Sequence, residues 1–412
     1  MKYFVDLFAG CGGLSLGLEN AGFIPAYVNE LDQDALSSYL INRNEINPLL
    51  EKKYHSNDVA DISTNSQMEK ISEGFKKDYG ILKGELDLVV GGPPCQGYSA
   101  LGFRRTFKID KKDIPSNYLF RDMINVIKHL TPKAFVFENV SSLMVGRWTK
   151  DGEQGEIWKT VHEEFIKFGK KYGYEIEFEV IKAKDYGVPQ NRPRLIMIGI
   201  KDQYAPEKVD GLPAKGFLPR PTNDFPDPID LLGDLVDPKY FGKKSTDVYS
   251  KDPLNRLQKS LRTRDNKTLM KGDTLLEQEY SKHSEKIIEK FQFMIDNDGK
   301  IPEHMMTKKF SQRVIPERWV NGPNITATSL PDDYVHFSQP RTLTVREWAR
   351  LQMFPDWYTF SGKRTTGGRQ RAGDPSAGNW KRDTPKYTQI GNAVPVKLAE
   401  EIGKHLMSLI SQ

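Results

Sequence analysis

The sequence predicts a doubly wound, mostly parallel α/β sheet with flanking helices, joined to a smaller irregular domain. Three observations carry this. Short apolar runs, residues 86–90 and 134–137 among them, read as strands buried on both faces. Stretches of helical spacing lie between such runs; Leu119, Phe120, Met123, Ile124, Ile127 and Leu130 form one stripe. This rhythm lapses over residues 239–338 and returns at Arg341.

The elements follow in order. Met1 to Val5 goes straight into a strand, which runs through Asp6-Leu7-Phe8-Ala9 into the glycine turn Gly10-Cys11-Gly12-Gly13. Leu14, Leu16, Gly17, Leu18 and Ala21 suit a helix packed on a sheet, with Gly22 at its end. A second strand, residues 24–28, ends in Asn29-Glu30. Glycines at a helix N-terminus, followed by an acid after the next strand, follow nucleotide-binding logic. The turn lacks a glycine at position 15 and so misses the dinucleotide fingerprint, which disfavours a nicotinamide dehydrogenase. Residues 54–59 read as a third strand end carrying Asp58. The fourth strand delivers Gly91-Gly92-Pro93-Pro94-Cys95-Gln96-Gly97-Tyr98-Ser99, and a basic loop with Arg104 and Arg105 follows. A fifth strand ends at Glu138-Asn139-Val140, and an acid directly after four apolar residues needs a task or a partner. Residues 154–173 suit a helix. Strands at 175–182 and 195–200 flank Gln190, Arg192 and Arg194, which share one side if that link is extended. Six prolines make residues 201–228 read as a linker, after which Ile229-Asp230-Leu231-Leu232 can pack on the sheet. An amphipathic helix through Ile402, Leu406 and Leu409 ends the chain.

Composition bounds the function. The chain has 412 residues, enough for two domains and a sizeable core. No apolar run reaches transmembrane length, and the N-terminus lacks a signal-peptide pattern. Cys11 and Cys95 make no disulfide framework, which points to a reducing, cytoplasmic setting, and no Cys/His cluster has zinc spacing. The formal charge of +5 is modest. Two stretches concentrate it: residues 239–271 hold ten Lys/Arg against three Asp, and residues 361–387 hold seven against two. Such runs suit either solvated surface loops or contact with a polyanion.

Seven blocks stand in order: Asp6 to Gly13, Asn29-Glu30, Pro93-Pro94-Cys95-Gln96, Glu138-Asn139-Val140, Gln190-x-Arg192-x-Arg194, Arg341 to Pro355, and Gly391-Asn392-Ala393-Val394-Pro395. This ordered set resembles the motifs of the DNA cytosine-5 methyltransferases, over most of 1–200 and 338–412. Asp113-Ile114-Pro115-Ser116-Asn117 departs from the Asp-x-Arg-Asn usual before the helix that follows the Cys95 loop, and the link at 361–387 is longer than usual.

The resemblance implies an S-adenosylmethionine-dependent, Rossmann-like methyltransferase fold and methyl transfer to C5 of a cytosine in double-stranded DNA. It makes Cys95 the nucleophile, Glu138 the acid, and Gln190, Arg192 and Arg194 their companions. Arg194 is the candidate charge that favours the thiolate. It puts the cofactor against Phe8, Gly10, Gly12, Gly13, Glu30, Asp58, Pro93, Asn392 and Val394. Phe8 stacks on adenine or simply packs over the sheet; Asp58 meets the adenine amino group or is an exposed turn aspartate. DNA contacts fall to Gln96, Ser99, Arg104, Arg105, Thr326, Arg369 and Arg371. The implied organisation is a catalytic domain at 1–238, target recognition at 239–338, a helix and basic segment at 339–388, and a return to the catalytic domain at 389–412. A monomer serving beside a separate restriction endonuclease is the expected setting. The tRNA-methylating branch of the superfamily and a catalytically silent DNA-binding homologue are the rivals. The long insert, Gly97, and intact Cys95 and Glu138 argue against them.

Overall fold

The computed structural model describes residues 1–94, 110–306, 312–328, 331–366 and 383–411. Its strands are β1 (Lys2–Leu7), β2 (Phe23–Asn29), β3 (His55–Ser56), β4 (Leu88–Gly91), β5 (Ala134–Val140), β6 (Tyr174–Lys182) and β7 (Pro193–Lys201). They form one sheet in the order β3-β2-β1-β4-β5-β7-β6. β1 to β5 pair in parallel, whereas β7 runs antiparallel to both β5 and β6. The order reverses between β1 and β4, and in open α/β sheets ligands bind outside the carboxyl ends of the strands at such a switch point.

Alternation along the strands decides the layers. Phe4, Leu88, Val90, Ala134 and Val136 point to one face, under α1 (Gly13–Asn20) and the C-terminal helix. Val5, Val89, Phe135 and Phe137 point to the other. That face is covered by α2 (Gln33–Ile41), α3 (Asn65–Tyr79), α4 (Phe120–Leu130) and α5 (Glu156–Tyr172). With both faces covered, the central strands can be apolar throughout, which is what made them visible in the sequence.

Beyond the sheet lie α6 (Pro228–Leu232), α7 (Arg256–Leu261), the longer α8 (Glu285–Asp296), α9 (Val345–Leu351) and α10 (Lys386–Asn392), after which α11 (Val396–Ile410) returns to the sheet as the C-terminal helix. Thr344 and Glu347 cap α9 reciprocally. A second apolar cluster gathers Leu231, Leu232, Leu235, Tyr249, Leu261, Trp348, Leu351 and Phe354. Residues 229–232 therefore do not pack on the sheet as expected; their leucines meet the face of α9. The proline-rich stretch is not a bare linker either, because it buries Ala214, Phe217 and Leu218 against the sheet. Gly17 lets α1 approach α11 at backbone distance: a methyl group there would strike Ala399 and the Val396 carbonyl. The expected strand and helix at 24–28 and 154–173 are present, as β2 and α5. Among the described residues no helix is long and apolar enough to cross a membrane.

Candidate active site

The carboxyl edge of the sheet assembles two groups of residues. The first begins where β1 ends. Phe8 has φ +59°, a left-handed conformation rare for a bulky residue, and it turns the chain sharply. Its ring is half-buried against the core on the α2–α5 face. Gly10 and Gly12 continue the turn at φ +55° and +87°. Glu30, just past β2, accepts the Gly10 N–H at 2.7 Å and the Asp32 N–H at 2.8 Å. Asn57 donates to the Glu30 carbonyl at 3.1 Å, so the ends of β1, β2 and β3 are knit together. Burial pushes the Glu30 carboxyl up, against the pull of these N–H groups.

The three glycines divide. A methyl group at Gly10 would meet nothing within 4 Å, so this side of the turn is open to a ligand. At Gly12 it would lie 2.8 Å from the Tyr358 hydroxyl and from Tyr39, and 2.9 Å from Arg43. At Gly13 it would strike the Val394 carbonyl. Gly12 and Gly13 thus serve packing within the protein, because α1 begins against α2 and against the segment before α11. Val394 is buried and Asn392 exposed. Asp58 is exposed and caps a short helix by accepting from Ala60 N–H at 2.9 Å.

The second group lies at β4 and β5. Glu138, 13% exposed, receives the Arg194 guanidinium at 2.8 Å. A methyl group at Gly92 would stand 2.9 Å from the other Glu138 oxygen, so the glycine makes room for the carboxylate. Asn139 donates to the Pro93 carbonyl at 3.0 Å and pins the Pro-Pro turn to the end of β5. Burial pushes the Glu138 carboxyl up, while Arg194 and then Arg192 pull it down. Arg194 arrives here because β7 is antiparallel: it pairs opposite Val140 at the start of its strand.

The link carrying Gln190, Arg192 and Arg194 is not extended: Gln190 and Arg192 both bond Ala327, and Arg194 bonds Glu138. The chain curls before β7, with Arg192 N–H bonded to the Gln190 carbonyl at 3.0 Å. Gln190 is fully buried, donating to the Leu351 carbonyl at 2.5 Å and accepting the Ala327 N–H at 2.6 Å. Arg192 donates to the carbonyls of Ala327 and Gly391, both at 2.7 Å. Of the three, only Arg194 bonds Glu138; the other two join the catalytic edge to residues 324–328 and to the end of α10. Thr326 lies along this seam, its hydroxyl donating to the Asn191 carbonyl at 2.8 Å. Cys95, Gln96, Ser99, Arg104, Arg105, Arg369 and Arg371 lie outside the described residues.

Three contributors were missed. Asp6 is buried under the glycine turn, bonded by Ser15 at 2.5 Å, and burial raises its carboxyl to about 7. Its signal was an acid inside an apolar strand. Arg43 and Tyr358, beneath Gly12, had no signal: one lies just past the end of α2 and the other in a loop.

The model of the C-5 cytosine-specific DNA methylase family matches residues 3–408. The Type II methyltransferase M.DdeI of Desulfomicrobium norvegicum is 30% identical, over 98% of this chain and 88% of its own. The Type II methyltransferase M1.HphI of Haemophilus parahaemolyticus is 28% identical, over 98% and 87%. In fold, the chain is similar to a putative DNA modification methyltransferase encoded within an E. coli prophage, with a TM-score of 0.69 at 24% identity over the whole of both chains. A mostly parallel sheet of this order, an acid held at the end of β5 and a match across nearly the whole length agree: the chain belongs to the C-5 cytosine-specific DNA methylases and is a DNA (cytosine-5-)-methyltransferase.

Proposed function

We propose that the protein methylates a cytosine within a specific double-stranded DNA sequence, using S-adenosylmethionine, and that it is the protective methylase of a restriction–modification system. The observation that carries the chemistry is Glu138, held by Arg194 beside Gly92, three residues before Cys95. The open side of Gly10 and the Glu30 carboxylate fit an adenosine-bearing cofactor, since the space a side chain would fill is free and an acid stands where ribose hydroxyls would be. Phe8, Pro93, Asn392 and Val394 complete that pocket in this reading, with Asp58 near the adenine. When bound, S-adenosylmethionine supplies an electrophilic methyl group.

The chain's own residues do the rest. A cytosine must leave the stack before its C6 can be reached. The Cys95 thiolate adds to C6 as Glu138 delivers a proton to N3, making C5 an enamine carbon. C5 would then take the methyl group that bound S-adenosylmethionine supplies, leaving S-adenosylhomocysteine. Loss of the C5 proton to water expels the Cys95 thiolate, and N3 returns its proton to Glu138, which restores the ring. Burial of Glu138 favours its protonated form, which suits a proton donor. Arg194 orients that carboxyl and stabilises charge on the ring. Gln190 and Arg192 fasten the recognition residues to this edge, with Thr326 facing the DNA. Residues 239–338 read the sequence, while Gln96, Ser99, Arg104 and Arg105 close on the flipped base. Arg369 and Arg371 grip phosphate, which binds without reading sequence. The enzyme acts as a monomer inside the cell, where its DNA is, and the endonuclease is a separate protein.

Cys95→Ser tests the reading. Labelled methyl transfer to duplex DNA should vanish while S-adenosylhomocysteine still binds, because a serine hydroxyl is a far weaker nucleophile at neutral pH. Bisulfite sequencing of DNA from cells expressing the wild type should reveal one methylated sequence. Substantial turnover by the serine variant removes Cys95 from the role; transfer to tRNA but not DNA overturns the substrate.

A further inference from the structure

The glycine turn has a second face. Beneath it, the Tyr358 hydroxyl donates to the Cys11 carbonyl at 2.5 Å and accepts from Arg43 at 2.9 Å. Arg43 also donates to the Gly12 carbonyl at 3.3 Å and to the Tyr39 carbonyl at 2.9 Å. Its guanidinium lies 3.8 Å from the Tyr39 ring centre and pairs with Glu19 at 2.6 Å. Arg43 and Tyr358 are fully or almost fully buried. Two successive peptide carbonyls, of Cys11 and Gly12, are therefore held from below by side chains of α2's end and of the loop after α9.

A peptide unit is planar and trans, so fixing a carbonyl fixes the N–H of the next residue on the opposite side. Tyr358 and Arg43 thus set where the N–H groups of Gly12 and Gly13 point. The Gly12 N–H closes the turn on the Ala9 carbonyl at 3.0 Å, and the Gly12 carbonyl accepts the first bond of α1 from Leu16 at 2.9 Å. Without its buttress, the carbonyl groups of Cys11 and Gly12 lose their side-chain holds, and the glycines on either side of them make reorientation easy. Tyr358 touches neither the open side of Gly10 nor Glu138.

We propose that Tyr358, with Arg43, is a positioning residue for the methyl donor: it holds the glycine turn in the binding conformation from a lobe whose sequence carries no cofactor motif. The loop around Tyr358 is itself tied to α2, because Asn42 and Ser38 accept the N–H groups of Thr359 and Ser361 at 3.0 and 2.7 Å. Cofactor affinity consequently depends on how the segment after α9 docks on α2. This rests on the assignment of the turn to S-adenosylmethionine.

Tyr358→Phe removes the hydroxyl and keeps the ring. Tyr174→Phe is the control: its hydroxyl also donates to a buried backbone carbonyl, that of Pro132 at 2.6 Å, far from the turn. Calorimetric titration with S-adenosylhomocysteine and steady-state kinetics would be measured for wild type and both variants. Tyr358→Phe should raise Kd and the KM for S-adenosylmethionine by about 5–10-fold, the loss of one or two hydrogen bonds, with kcat within twofold of wild type. Tyr174→Phe should leave both constants unchanged. If Tyr358→Phe binds like wild type, or if both variants lose affinity alike, the positioning role is wrong. If the wild type itself fails to bind S-adenosylhomocysteine, the cofactor assignment fails instead.

Discussion

Two regions of this molecule bury carboxyl groups, and they do so in opposite ways. At the sheet edge, Asp6 faces the Ser15 hydroxyl and Arg43, Glu30 faces backbone N–H groups, and Glu138 faces Arg194 and Arg192, yet burial outweighs them: all three are pushed up, Asp6 to about 7. Around α9 the balance reverses. Burial would raise Glu347 too, but Arg341 meets it at 2.6 and 2.7 Å and draws it down to about 2. Asp356 is likewise drawn down against burial by Arg350. Carboxyl groups of the first kind take up a proton more readily than free ones. Those of the second kind are locked as ions and serve as joints.

The largest expected effect comes from breaking a joint. Arg350 donates to Asp234 at 2.5 Å, to both oxygens of Asp356 at 2.9 and 2.7 Å, and to the Leu231 carbonyl at 2.6 Å, all fully buried. Arg350→Met would leave Asp234 to Arg262 alone and Asp356 to the Tyr249 hydroxyl and the more distant Arg346, so two buried carboxylates would lose the cation they share, and it should cost about 3 kcal/mol of stability. Urea unfolding measures it. A loss below about 1 kcal/mol would mean that these ions are not joints.

At the sheet edge the same kind of change should act on rate rather than fold. Glu138→Gln keeps the shape and a hydrogen-bonding oxygen but not the proton. Single-turnover methylation should fall at least about a hundredfold, the usual scale for positioned proton transfer, with less loss of stability than Arg350→Met. In the wild type the rate should decline as pH rises through the raised pKa of Glu138, and the variant should lack that decline. An unchanged single-turnover rate removes the acid from the mechanism and erases the functional half of the contrast.

The contrast also explains what the sequence made legible. β1, β4 and β5 are apolar because both faces are covered, and their ends carry glycine, proline or acid, so strands, order and edge residues could be read directly. Glu138 was found because an acid ends an apolar run. Around α9, the core is built from Arg262, Arg346, Arg350, Asp234 and Asp356, residues that ordinarily mark a surface. No periodicity flags them, and their partners lie up to 119 residues away. That is why residues 229–232 were expected on the sheet. Gln190 and Arg192 were grouped with Arg194 by spacing alone, and the curl before β7 separates their tasks. Arg43 and Tyr358 support the glycine turn through carbonyl groups, which no side-chain motif records.

The most direct comparison of the two regions is in the slope of stability with pH. Asp6 has a folded pKa of about 7, above an unfolded value of about 4. Between those values the folded state holds a proton that the unfolded state has released. The contribution of Asp6 is therefore full below about pH 4 and is lost as pH rises towards 7. Glu347 has the opposite sign: its depressed pKa contributes stability above its unfolded value, and that is lost as pH falls towards about 2. Asp6→Asn keeps an oxygen for the Ser15 hydroxyl but cannot titrate, so the decline in Tm between about pH 4 and 7 should flatten while the acid limb stays as it was. Glu347→Gln should do the reverse, weakening the acid limb at a general cost in stability from the unpaired Arg341. Tm measured across this range for the wild type and both variants decides it. If Asp6→Asn leaves the decline intact, the carboxyl under the glycine turn is ionised like those around α9, and the two regions do not differ in the way proposed.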